Sequence, residues 1–174
     1  MKESVSNALL FNLVIMFVVI LLAFFVGSLS YSKAAKVKNK IIEEIEKNGE
    51  VAGREYSSMD IADKVFVNAR GEIEQWLKVG NDGKGIGYRI TDRGYVNCPN
   101  YKGVKAETTT NTYEYCVYKI NTCLGSNGKE DTKKSKCGIY YHVTTYMYFD
   151  VPIVEDLVKI PINGETRTFV KRNN

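Results

Sequence analysis

Histidine and tryptophan each occur once in this chain, at His142 and Trp76, and proline occurs three times. A lone histidine leaves little for base catalysis. His142 sits between Tyr141 and Val143 in a stretch with strand character, where such a residue usually packs. Carboxylates stand close in sequence at Glu43/Glu44 and at Asp150 with Glu155/Asp156, but nothing sets two of them across a cleft. Zinc knuckles are missing too. The intervals between Cys98, Cys116, Cys123 and Cys137 hold 17, 6 and 13 residues, none of them a Cys-x2-4-Cys spacing. The glycine-rich "GNDGKGIGYRI" lacks the Gly-Lys-Ser/Thr ending of a phosphate loop and the oxygen ligands of a calcium loop. Its Asn81-Asp82-Gly83 reads as turn chemistry. No catalytic, cofactor-binding or metal-ligating residue is therefore expected. A net charge of only +4, with acids and bases mixed along the chain, argues against nucleic acid as a partner.

Charge is also absent from Ala8 to Leu29, and this absence says the most. The 22 residues "ALLFNLVIMFVVILLAFFVGSL" hold only Asn12 and Ser28 as clearly polar side chains. As a helix they span ~33 Å, enough for a ~30 Å hydrocarbon core. A buried soluble helix would show a polar face somewhere. A cleaved signal sequence would have a shorter apolar core followed by a small-residue site, whereas "SYSKAA" places Lys33 inside any such site. The run reads as a retained single-pass anchor whose partner is the lipid bilayer.

The helix is predicted to continue past the membrane. Ala34, Val37, Ile41, Ile42 and Ile45 recur at helical spacing, Glu43 and Lys47 stand four apart, and Asn48-Gly49 offers a stop. Val37, Ile41 and Ile45 form a narrow apolar stripe, suited to packing against the chain's own domain or against a neighbouring helix. A second helix is expected over "SSMDIADKVFVNARGEIEQWLKVG". Ser57 or Ser58 would cap it, Trp76 would anchor a core, and Gly71 is a point where it could split.

Beyond the glycine-rich stretch the texture is that of strands. In "NTYEYCVYKI" Tyr113, Tyr115 and Val117 share one parity, with Tyr118 and Ile120 on the other. "GIYYHVTTYMYFDVPIV" is rich in β-branched and aromatic residues. In "LVKIPINGETRTFVK", Asn163-Gly164 is a hairpin signal. The polar stretch from Ser126 to Lys136 reads as an exposed loop. The expected fold class is α+β: a long transmembrane helix continuing as an amphipathic stem, a second helix, and a small antiparallel sheet. The units are residues 1–32 (flank and anchor), 33–50 (stem) and 51–174 (domain).

Two signals disagree on topology. Lys33, Lys36, Lys38, Lys40 and Lys47 follow the anchor, against Lys2 and the amine before it, which by the positive-inside rule puts the domain in the cytoplasm. Four cysteines in a loop-rich region point instead to two disulfides and an oxidising compartment. Of three connectivities, Cys98–Cys116 with Cys123–Cys137 is preferred, the second closing the polar loop. The domain is placed outside, with the N-terminus cytoplasmic.

This layout resembles the pilins. More narrowly, "NALLFNLVIMFVVILLAFFVGSLSYSKAAKVKNKIIEEIEKNGEV", with "YYHVTTYMYFDVPI" and "VKIPINGETRTF", is similar to the TadE-like minor pseudopilins of tight-adherence pilus systems. The resemblance covers about half of the chain. It implies a non-enzymatic accessory subunit of a bacterial surface pilus or secretion assembly, partnered through its N-terminal helix with other pilin-like proteins. The chain departs from prepilins in having no glycine before Gly27 and only Glu3 as an early acid. The subunit-docking role that an early glutamate plays in major pilins is therefore assigned to no residue here. The alternative reading is a single-pass sensor or binding protein with an external ligand- or partner-binding domain.

Overall fold

The structure, a computed structural model, describes residues 2–55, 60–78, 98–107, 115–122, 138–148 and 159–170. The Ser57 and Ser58 caps, the glycine-rich stretch, Tyr113, the 126–136 loop, Cys123 and Cys137 lie outside them. Helix α1 (Lys2–Glu55) is followed by α2 (Asp60–Leu77) and strands β1 (Tyr115–Asn121), β2 (Gly138–Tyr148), β3 (Lys159–Glu165) and β4 (Phe169–Val170). This is the α+β arrangement, with a long apolar helix, a second helix and an antiparallel sheet in the order β1-β2-β3.

α1 is one helix of 54 residues, ~81 Å long at ~1.5 Å per residue. It does not stop at Asn48-Gly49 as the dipeptide predicts. Asn48 instead donates its side-chain amide to the Glu44 carbonyl one turn back. Gly49 is buried, and a Cβ there would fall inside the ring of Phe169. That glycine is explained by the strand crossing it, not by a helix end. Nor does Gly71 split α2, which passes through it without a break.

The Asn163-Gly164 pair is also not a turn. Asn163 and Gly164 lie inside β3, paired with Thr144 and Val143 of β2. A Cβ on Gly164 would stand 2.8 Å from Ile42 Cδ1 and from Lys38 Cδ, so the glycine lets the strand lie close on α1. The chain bends just beyond it. Thr166, Arg167 and Thr168 face only Tyr140 and Tyr141 before Phe169 pairs with Ile139. β4 thus continues β3 along the same edge of β2 after a one-residue bulge. The Thr166 hydroxyl accepts from the Tyr141 amide at 3.0 Å, and Thr166 N–H donates to the Tyr141 carbonyl at 2.9 Å. Glu46 of α1 reaches across to accept the Arg167 amide at 2.8 Å. Pro161 is tolerated because β3 lies at the edge of this sheet.

Strand alternation divides the interior into two layers. Tyr115 and Val117 of β1, with Tyr141 and Val143 of β2, face the helices. They pack with Val37, Ile41 and Ile45 of α1 and with Val65, Phe66, Ala69, Ile73 and Leu77 of α2. Trp76 lies partly buried at this core's margin. The opposite face carries Cys116, Tyr118 and Tyr146, covered by residues 98–107. The sequence reading anticipates the parity of β1 but not this covering segment.

Candidate membrane-anchoring site

α1 is two surfaces on one rod. From Leu9 to Phe25 every leucine, isoleucine, valine, methionine and phenylalanine is 46–79% exposed. Among the described residues nothing in the domain covers this band, and its mean hydropathy reaches 3.1. An apolar sleeve of this kind is strongly unfavourable in water, at ~25 cal/mol per Å². By length and composition this helix can cross a membrane.

The change of surface is abrupt. Tyr31 is 57% exposed, whereas Ala34, one turn later, is 2% exposed. Ala34 packs with Met147 and Ile162, and its carbonyl accepts from the buried Thr145 hydroxyl at 3.1 Å. The stripe predicted for stem packing follows directly. Val37, Ile41 and Ile45 are each fully buried, against the chain's own α2 and sheet. They are therefore not a free face for a neighbouring helix. What sequence periodicity cannot reveal is which apolar surface meets the stripe. Ala34, Val37, Ile41 and Ile45 thus contribute to the core of the domain.

The lysines beyond the anchor serve different roles. Lys40 pairs with Glu44 at 2.7 Å and with Glu43 at 3.5 Å. Lys47 reaches Glu72 of α2 at 3.4 Å and Glu44 at 3.6 Å. Lys47 makes these contacts in place of the expected pair with Glu43. Glu44 is a buried carboxylate. The hydrogen bond from Lys40 holds its pKa below the ordinary value, and that same bond raises Lys40. The aliphatic stem of Lys38 lies over Gly164. Lys33 and Lys36 are exposed.

On the far face, Cys98 and Cys116 form a disulfide. It fastens residues 98–107 over the sheet. Tyr101 and Val104 exchange backbone hydrogen bonds across Lys102 and Gly103, both at positive φ, a tight turn that the sequence marks only by its glycine. The turn lays Tyr101 flat on His142, with ring centroids 3.8 Å apart. His142 is buried, with Nδ1 3.3 Å from Glu165 Oε1. It serves here as a packed sheet residue under an aromatic lid. Tyr118 donates to the Pro99 carbonyl at 2.6 Å, and burial pushes its hydroxyl up to about 12. Among the described residues, no group of three or more His, Cys, Asp or Glu side chains is placed to hold a metal ion.

No known protein family, no curated protein and no solved structure matches the chain.

Proposed function

We propose that this chain is a membrane-anchored, pilin-like accessory subunit of a bacterial surface pilus or secretion assembly. The apolar band of α1 lies in the bilayer, and the disulfide-stapled domain stands outside it. Its action is mechanical: the helix holds the subunit in the membrane and meets other apolar helices there, while the domain is displayed at the surface. One observation carries this reading. A single unbroken helix is bare and apolar over one half and is the central element of the domain core over the other. Any force or displacement on the band is thereby transmitted rigidly to the domain.

The burial of Val37, Ile41 and Ile45 moves the proposed helix–helix contact into the bilayer, onto residues such as Phe11 and Phe17 of the exposed band. A photo-crosslinking residue at Phe17 tests this in cells of the host. Capture of other apolar N-terminal helices, together with loss of surface filaments when the chain is deleted, is the expected result. Crosslinks to lipid alone, with filaments unchanged by deletion, would remove the pilus reading. A specific small-molecule or peptide ligand of the isolated membrane fraction would then favour the sensor alternative.

A further inference from the structure

The lysines of α1 sort by distance from the apolar band. Lys40 and Lys47 are engaged by Glu43, Glu44 and Glu72. Lys33 and Lys36 are exposed and pair with no carboxylate among the described residues. Measured from Leu29, they stand only ~6 and ~10 Å along the axis, against ~16 and ~27 Å for the engaged pair, at ~1.5 Å per residue. A headgroup layer extends ~5–8 Å beyond the hydrocarbon, and the surface potential reaches about one Debye length (~8–10 Å) farther. Helical side chains also lean toward the N-terminus. Both ammonium groups are thus carried back toward the band.

The sheet adds to this edge. β2 runs antiparallel to α1: its Gly138 end lies by Phe169, over Gly49, and Thr145 lies at Ala34. The next helix-facing pair, Met147 with Ile160, is therefore nearer the band. Ile160 is 42% exposed there, and Tyr31 on α1 is 57% exposed. Two cations and two amphipathic or apolar tips share one rim, the composition of a membrane-interface surface.

We propose that Lys33 and Lys36, flanked by Tyr31 and Ile160, dock anionic phospholipid headgroups in the leaflet that meets the domain. The proposal rests on the reading of the apolar band as membrane-spanning. Tyr31 and Ile160 enter the interfacial layer, and the two ammonium groups take the lipid phosphates. A lysine held at an anionic surface gives about a fivefold preference.

The test reconstitutes the full chain in phosphatidylcholine bilayers carrying a trace of spin-labelled phosphatidylglycerol or spin-labelled phosphatidylcholine. Electron paramagnetic resonance then reads the motionally restricted fraction of each. The expected result is a severalfold excess of restricted phosphatidylglycerol. That excess should fall toward unity in Lys33→Gln/Lys36→Gln and in high salt, and persist in Lys47→Gln. Equal restriction of both lipids, or an excess that survives the double substitution, overturns the headgroup surface while leaving the anchor intact. No restricted lipid of either kind removes the spanning reading and the headgroup surface with it.

Discussion

Phe169 lies directly over the α-carbon of Gly49, with no room between ring and helix for a methyl group. The strand after the bulge thereby presses on α1 at Gly49. Gly49→Ala should destabilise the domain by about 1–2 kcal/mol, because overpacking outweighs the better helix propensity of alanine. The same substitution at Gly71 has the opposite sign. That site is exposed, and a Cβ there meets nothing within 4 Å. Gly71→Ala should stabilise by about 0.5–1 kcal/mol. Denaturant titration of the detergent-solubilised chain reads both.

Ile41 and Ile45 are buried in the domain core, whereas Leu13 is 62% exposed in the apolar band. Ile41→Ala should cost about 2–5 kcal/mol in unfolding of the domain. Leu13→Ala should leave that unfolding within about 0.5 kcal/mol of wild type. Equal effects at the two positions would contradict the division of α1 into an exposed apolar half and a core half.

The Cys98–Cys116 bond closes a loop with a sequence separation of 18. In the chain-entropy treatment, replacing both cysteines by serine should cost about 3 kcal/mol. It should also loosen Tyr101 from His142, which the bond holds in register. Hydrogen exchange at the Glu107 amide, bonded to the Val117 carbonyl at 2.8 Å, should rise in the variant.

Glu44 ionises in the folded chain below its ordinary value of 4.5, chiefly through Lys40. A depressed carboxylate stabilises the fold above its unfolded pKa, and that contribution is lost as pH falls through the folded value. Stability should therefore drop below about pH 4.5 in wild type and drop less in Glu44→Gln, as read by thermal unfolding across pH 2–7. Tyr118 works at the other end of the scale. Its folded value of about 12 lies above the ordinary 10. The unfolded chain loses that proton first, so stability should fall as pH rises from 10 toward 12, and Tyr118→Phe should remove this part of the loss.

Much of this fold is legible in residue spacing. The recurrence of Ala34, Val37, Ile41 and Ile45, and of Val65, Phe66, Ala69, Ile73 and Leu77, is the helical period of surfaces that are in fact buried. The parity of Tyr115 and Val117 against Tyr118 marks β1 as a strand; that both of its faces are covered is a finding of the structure. The Asn-Gly dipeptides at 48–49 and 163–164 mislead for a common reason. Local turn preference is overridden where a neighbouring element must come close: Phe169 at Gly49, Ile42 and Lys38 at Gly164. The covering segment 98–107 leaves almost no periodic trace, since the disulfide and a two-residue turn hold it in place. Of the anchoring site, the band is plain in the sequence, but the burial of Val37, Ile41 and Ile45 against the chain's own sheet is a tertiary fact.

In the proposed function α1 joins a bilayer on one side to a domain displayed outside the cell. Lys78, exposed just after α2, gives the most direct reporter when changed as Lys78→Cys. A membrane-impermeant thiol reagent applied to intact cells should label this variant, and should not label wild type without reductant. Labelling of Lys78→Cys only after lysis would contradict the account, placing the domain in the cytoplasm as the lysines after Ser32 alone would have it.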